Sequence, residues 1–317
     1  MKRSFFFLAG SILLLHLISC LFFIWLTDAG SLVRQKEKSW SVLPKPVPVW
    51  VMGDSHALYG LNPKEIGGCY NFASTSEYYT LVLQRLKKLL SEENKPQTII
   101  LTAGWHSFSP MGKSVWLNHE LDDVFWSQLI QPRNFPKGKE TPEIWRWWLG
   151  ARLAPYAGQY YQWTRIWKPR VIEPDPLGFV TGSENFNDQS PSERKRLSLE
   201  RLKAHFKQGF EPDSIQIKSL LEIRKICFES QIQLLLVRLP VTKEYKEAFL
   251  SKGGLSKLQP VWENLPEDVP VLELSTDKSI SENWFSDPDH LNANGARWAS
   301  NEIRKYLNIR RKPDATH

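Results

Sequence analysis

The chain has 317 residues, with 41 Lys and Arg against 34 Asp and Glu, a net charge of +7. Its apolar share of 42% and charged share of 24% are those of a globular chain and exclude a disordered tail, a collagen-like rod and a polytopic membrane protein. Cys20, Cys69 and Cys227 are too few for a disulfide framework, lack any Cys-x-x-Cys metal or redox spacing, and are read as unpaired, while 14 tryptophans are several times the ordinary share.

Residues 5–26 read FFFLAGSILLLHLISCLFFIWL and carry no Asp, Glu, Lys or Arg. As a helix they reach about 33 Å, enough for a hydrocarbon layer of about 30 Å. The apolar core of a cleaved signal peptide is shorter, about 7–15 residues, so 1–27 is read as an uncleaved single-pass anchor with the lipid bilayer as its partner. Leu17-Ile18-Ser19-Cys20 resembles a lipobox, which would lipidate Cys20, but the apolar run continues past that cysteine. His16 is read as a tolerated polar residue. Lys2 and Arg3 on one side balance Arg34, Lys36 and Lys38 on the other, so charge counting leaves the orientation undecided. Residues 28–46, polar and containing Pro44 and Pro46, suit a tether.

From 47 onward short apolar runs alternate with helical patterns. VPVWVMGDS, stopping at Gly53, predicts a buried parallel strand. CYNFA (69–73) predicts a second strand, followed by a helix from Glu77 to about Ser91. TIILTAG (98–104) predicts a third. A helix from about Ser214 to Ser230 leads to the fourth, QLLLVRLP (233–240), and VPVLELS (269–275) is the fifth. A last helix is expected from about Asn292, a plausible N-cap, to Leu307. Strands alternating with helices imply right-handed crossovers and an α/β fold whose parallel sheet is covered on both faces. The domain is read as 47–310, interrupted by a long insertion at about 107–212 after the third strand, with a polar tail at 311–317.

Within the insertion, 145–167 reads WRWWLGARLAPYAGQYYQWTRIW, with five tryptophans, three tyrosines and only arginines for charge. It can pack as the insertion's own core, lie at headgroup depth on a bilayer, or stack on sugar rings. The densest basic stretch, SERKRLSLERLKAHFK at 192–207, is read as a solvated helix face or a contact for anionic lipid or polymer. No nucleic-acid footprint accompanies the aromatics.

Gly53-Asp54-Ser55-His56 falls where the first strand ends, the place where open parallel sheets bind ligands. SDPDHLNANG, containing Asp287-x-x-His290, precedes the last helix. A serine hydroxyl becomes nucleophilic when an imidazole takes its proton, and a carboxylate fixes that imidazole's tautomer; Asp287 and His290 offer both from one turn. Asp54 is read as a brace of the turn. His56 and Trp105 are candidates to line the substrate pocket, though His56 reads first as an ordinary helix-start surface histidine. No His-Glu-x-x-His, Gly-rich phosphate loop or Gly-x-Gly-x-x-Gly is present, so no metal, nucleotide or other cofactor is implied.

Gly53-Asp54-Ser55 near the start and Asp287-x-x-His290 near the end resemble the first and last sequence blocks of the SGNH (GDSL-type) hydrolases. The resemblance covers about 47–106 and 213–307. It implies a flavodoxin-like three-layer αβα sandwich with a five-stranded parallel sheet, and an esterase or O-acyltransferase with Ser55 as nucleophile, His290 as base and Asp287 as its orienting acid. The oxyanion donors it implies are the main-chain N–H groups of Ser55 and of Ala73 or Ser74, with His106 standing where the family has an asparagine. An anchored chain of this type is similar to the tethered SGNH-like proteins that acylate cell-envelope polymers. That likeness implies a domain outside the cytoplasm, on a bacterial inner membrane, acting on acetyl or other acyl groups of a glycan. A transferase would need an acyl donor, which an integral-membrane acyltransferase could supply. The competing expectation is a catalytically silent scaffold or glycan-binding module of the same fold, favoured by the missing asparagine.

Overall fold

In the computed structural model the valine-rich run that stops at Gly53 is the strand β1, Val49–Met52, with every residue buried. The structure describes residues 2–28, 31–92, 95–110, 141–153, 172–182, 184–207 and 209–311. The chain divides into two units, one of residues 1–37 and 115–173 and one of residues 38–114 and 174–317.

In the first unit, helix α1 spans Lys2–Asp28. Its window Phe5–Phe22 has a mean hydropathy of 2.3 and none of it is buried, so the helix is long and apolar enough to cross a membrane. Helix α2, Leu32–Val42, passes from this unit into the second. The Trp-rich stretch enters the description as helix α6, Thr141–Leu153. There Trp145 and Trp148 meet edge to face at 5.6 Å, Arg152 lies 4.3 Å over the Trp148 ring, and Trp145 is exposed. Residues 154–167 of that stretch lie outside the described residues.

The second unit holds a five-stranded, all-parallel sheet in the order β2-β1-β3-β4-β5, with β2 Cys69–Asn71, β3 Thr98–Thr102, β4 Gln233–Arg238 and β5 Val271–Glu273. This is the flavodoxin-like strand order, and the α/β class expected from the sequence is the one observed. Continuous burial along β1 and β3, with no polar alternation, means that both faces are covered. Trp50, Met52, Ile99, Leu101, Leu234 and Leu236 share one core with Val82 and Leu86 of α5 (Tyr79–Ser91) and Leu220 and Ile223 of α8 (Ser214–Glu229). The intervening residues Val49, Val51, Ile100, Leu235 and Val237, also buried, point to the opposite face by the period-2 rule. Helices α3 (Ser55–Gly60), α4 (Pro63–Ile66) and α11 (Ala293–Arg311) pack together, with Ala296, Ala299 and Ile303 fully buried. Cys69 and Cys227 are buried free thiols.

Two helix starts are instructive. Helix α5 begins at Tyr79, later than expected, because Ser76 adopts a left-handed φ of 57° and Glu77 turns its carboxylate to Arg85 at 2.7 Å. Asn292 does cap α11: its Oδ1 accepts from the Asn294 and Gly295 N–H groups at 3.1 and 3.2 Å. Of the stretch 107–212, residues from 174 onward belong to the sheet's own unit. The Asn71 N–H donates to Leu177 O at 2.9 Å, and helix α7, Pro191–His205, packs on α9, Lys243–Ser251.

Candidate active site

The turn that carries Ser55 is shaped by three adjacent residues. Gly53 has φ 127°, and a Cβ there would collide with the Thr102 hydroxyl of β3, so only glycine fits the turn from β1 into α3. Asp54 is the N-cap of α3, its Oδ1 accepting the His56 N–H at 2.9 Å, and its other oxygen lies 2.6 Å from His106 Nε2. Ser55 is thereby held, half-buried, as the first residue of the helix.

The partner loop is closed by the Phe285–Leu291 bridge and by Ser286 N–H donating to His290 O at 3.0 Å. Inside it Asp287 Oδ1 accepts the main-chain N–H groups of Asp289 and His290 at 3.0 and 2.9 Å. This leaves Asp287 Oδ2 facing His290 Nδ1 at 2.7 Å, and His290 Nε2 lies 2.7 Å from Ser55 Oγ. With the Nδ1 proton donated to Asp287, Nε2 is the acceptor for the Ser55 hydroxyl. Burial pulls the proton affinity of His290 down, but the Asp289 and Asp287 carboxylates outweigh it and leave the imidazole above its ordinary value.

Behind this line lies a buried cluster. His56 Nε2 is 3.0 Å from Asp289 Oδ2, and His205 pairs through Nδ1 with the Tyr245 hydroxyl at 2.7 Å while its Nε2 lies 3.5 Å from Asp289. His106 stacks on His205 at 4.5 Å and stands 4.4 Å from His56. Burial, reinforced by the neighbouring His106, holds His56 and His205 below the usual histidine range. For Asp54, burial works toward protonation, but His106 and His56 more than offset it and depress the carboxyl. Asp289 is depressed likewise, against its burial, by His290, His205, His56 and Arg201. Two sets, Asp54–His56–His106 and His56–Asp289–His290, bring ligating atoms within 4.8 Å of one another and could hold a metal ion. Hydrogen bonds within and between them already account for their geometry.

The other sequence-derived candidates are placed as follows. The Ala73 N–H donates to Asn71 Oδ1 at 2.9 Å and the Ser74 N–H to Gly53 O at 3.2 Å, so both main-chain donors are engaged within the fold. His106 directs Nε2 to Asp54. Among the described residues the Ser55 N–H has no acceptor. His56 is buried on Asp289, and Trp105 lays one ring face on Phe249 at 4.3 Å, nearly parallel.

Sequence reasoning passed over Asp289, His205, Asn71 and Arg201. Arg201 lies in the basic stretch, yet its Nη2 is 2.8 Å from Asp287 Oδ2 and its Nε 2.8 Å from Asp289 Oδ1. The fully buried Asn71 side chain donates to Ala57 O and Leu61 O at 2.8 and 2.9 Å, tying the end of α3 to β2. The one available signal was for Asp289, a second carboxylate directly beside His290.

No protein-family model matches the sequence, and no curated protein matches it. Among solved structures, the chain is similar to a protein described as an acylhydrolase from Bacteroides fragilis, at 11% identity and a TM-score of 0.41 over 87% of this chain and 95% of that one. It is similar to a GDSL-like lipase from Bacteroides thetaiotaomicron, at 9% identity and a TM-score of 0.40 over 88% and 100% of the two chains. A lipolytic protein of the G-D-S-L family from Desulfitobacterium hafniense aligns at 12% identity and a TM-score of 0.34 over 83% and 99%.

Proposed function

We propose that this chain is a membrane-anchored serine esterase or O-acyltransferase of the SGNH (GDSL) type, working outside the cytoplasm on acyl groups, foremost acetyl, of an envelope or secreted glycan. The observation that carries the catalytic part is the line Ser55 Oγ–His290 Nε2–His290 Nδ1–Asp287 Oδ2, with 2.7 Å at each hydrogen bond. The α1 helix supports the anchor; the compartment and the glycan rest on the sequence resemblance.

In this reading Ser55 Oγ attacks the acyl carbonyl carbon while His290 Nε2 takes its proton, and Asp287 holds the imidazolium in place. The Ser55 N–H, without an acceptor among the described residues, can serve as a main-chain donor to the developing oxyanion. As the tetrahedral intermediate collapses, His290 returns the proton to the leaving alcohol and the acyl group stays on Ser55. Water as the second acceptor completes an ester hydrolysis; a sugar hydroxyl completes a transfer. Such a transfer draws its acyl group from a donor, the role proposed for an integral-membrane partner.

A second reading is a catalytically silent scaffold or glycan-binding module. What favours it is that Ala73, Ser74 and His106 are all engaged elsewhere, and the loss of one oxyanion donor costs about 10²–10³ in turnover. The two readings separate on the full chain in detergent, treated with a fluorophosphonate probe and with p-nitrophenyl acetate beside Ser55→Ala. Labelling and turnover that vanish in the variant support the enzyme. Wild type that neither labels nor turns over ester above the variant supports the scaffold. Release of acetate against appearance of an acetylated sugar then divides esterase from transferase.

A further inference from the structure

His290 sits between two carboxylates. Asp287 Oδ2 is 2.7 Å from Nδ1, and Asp289 Oδ2 is 3.9 Å from Nε2, the nitrogen that must accept the Ser55 proton. Two full negative charges so close to one imidazole would hold it protonated, and a protonated imidazole is no base. They would also repel each other across the loop. The structure answers both with a single side chain: Arg201, from α7, puts Nη2 2.8 Å from Asp287 and Nε 2.8 Å from Asp289. Nη2 donates a hydrogen bond to Asp287 Oδ2, while Nε meets Asp289 Oδ1 as an ion pair without a hydrogen bond; a planar guanidinium spans the two carboxylates where an ammonium presents one centre. The other groups around the ring do not supply that charge. From α3 come Ser55, His56 and Tyr59, with ring separations of 5.3 Å for His56 and 5.1 Å for Tyr59. From α7 comes His205, which faces Asp289, while His106 faces Asp54.

We propose that Arg201 is a positioning residue of the triad, bridging Asp287 and Asp289 so that Asp287 stays aligned on His290 and the imidazole sheds its proton at a pH where it can act as base. This rests on the reading of Ser55, His290 and Asp287 as the catalytic line. Arg201 touches no reacting atom and acts only through the two carboxylates. Its charge and its fork contribute separately: the charge sets where His290 titrates, and the fork keeps Asp287 in register.

The test uses the full chain in detergent with two substitutions, Arg201→Gln and Arg201→Lys, whose folding is checked by circular dichroism. In Arg201→Gln the acid limb of the kcat/KM profile is expected to move up by about one pH unit, as removal of a neighbouring charge requires. Its kcat at the plateau should fall about tenfold as Asp287 loses alignment. In Arg201→Lys the limb should stay near the wild-type position while kcat still falls. A limb that is unmoved or moves down in Arg201→Gln overturns the proposal, as does a Lys variant indistinguishable from the Gln variant. A wild type without ester turnover counts against the catalytic reading instead. In that case the His290 ring protons, followed by NMR and assigned with His290→Gln, read the same quantity: the imidazole must titrate at higher pH in Arg201→Gln than in wild type, and equal midpoints overturn the proposal.

Discussion

His56 Nε2 lies 3.0 Å from Asp289 Oδ2, so the residue after Ser55 is paired with the residue before His290. Ser55–His290 and His56–Asp289 are neighbouring contacts across the same gap between α3 and the 285–291 loop. Ser55 is half-buried, whereas His56, Asp289 and His290 are buried. On the proposed reading the His56–Asp289 contact sets the spacing of the Ser55–His290 one.

If so, breaking it should loosen the site and the fold together. Asp289→Asn removes the charge that Arg201 faces and weakens the hydrogen bond from His56, and a hydrogen bond to a charged group contributes about 1.5–3 kcal/mol. Urea denaturation of the full chain should show a loss of this size, with ester turnover falling as well. A variant as stable as wild type would mean that the contact is structurally neutral.

Substitution in the triad should do the reverse. Ser55→Ala keeps the buried cluster and should leave the unfolding midpoint nearly unchanged while turnover drops by about 10⁴ or more. Because Asp287 also organises its own loop through the Asp289 and His290 N–H groups, Asp287→Ala should lose activity and some stability at once. Parallel kinetics and thermal unfolding check this contrast.

Acid should destabilise the chain in two stages. His56 and His205 titrate below the ordinary value of 6.5, so between about pH 6.5 and their folded values the unfolded chain binds protons that the folded chain refuses, and stability falls as pH drops. His290, raised above 6.5, acts with opposite sign: its contribution is complete below the ordinary value and is lost as pH rises through its folded value. The His290 window lies above about pH 6.5, so it does not offset His56 and His205, and a decline is expected from about pH 6.5 downward. Asp54 and Asp289, depressed from 3.8, add a steep loss below about pH 4, where only the unfolded carboxylates protonate. Calorimetric midpoints measured from pH 8 to 3 test it; a midpoint that rises as pH falls from about 6.5 to about 5 would contradict the assignment.

Asn71→Ala strips the caps from Ala57 O and Leu61 O and the acceptor from the Ala73 N–H. Ala57 O keeps the Leu61 N–H, so the cost falls mainly on Leu61 O, and a loss of about 1–3 kcal/mol is expected in denaturant titrations. Asn71→Asp, which keeps the acceptor alone, should recover only part of it.

Much of the frame was legible in the chain because it is local. Five apolar runs mark five strands, Asn292 marks its own helix, and glycine at 53 announces a turn that other residues cannot make. Ser55, Asp287 and His290 could be named from residue type and place in the pattern. Arg201 could not. In sequence it is one basic residue among many in 192–207, and nothing in a charge count tells which of them turns inward. The start of α5 was missed for a related reason: the pairing of Glu77 with Arg85 spends a side chain that helical periodicity counts as part of the helix.

By itself, then, the sequence determined what depends on short-range chemistry: the apolar length of α1, the alternation that makes a parallel sheet, and which side chains could serve as nucleophile, base and acid. Only the tertiary structure decided what depends on distances between residues far apart in the chain. Asp54 meets His106, His56 meets Asp289, and Arg201 spans both carboxylates of the loop. Coulombic and hydrogen-bond energies fall steeply with separation. The proton affinities of the site therefore follow from how the strands and helices pack, which no local pattern encodes.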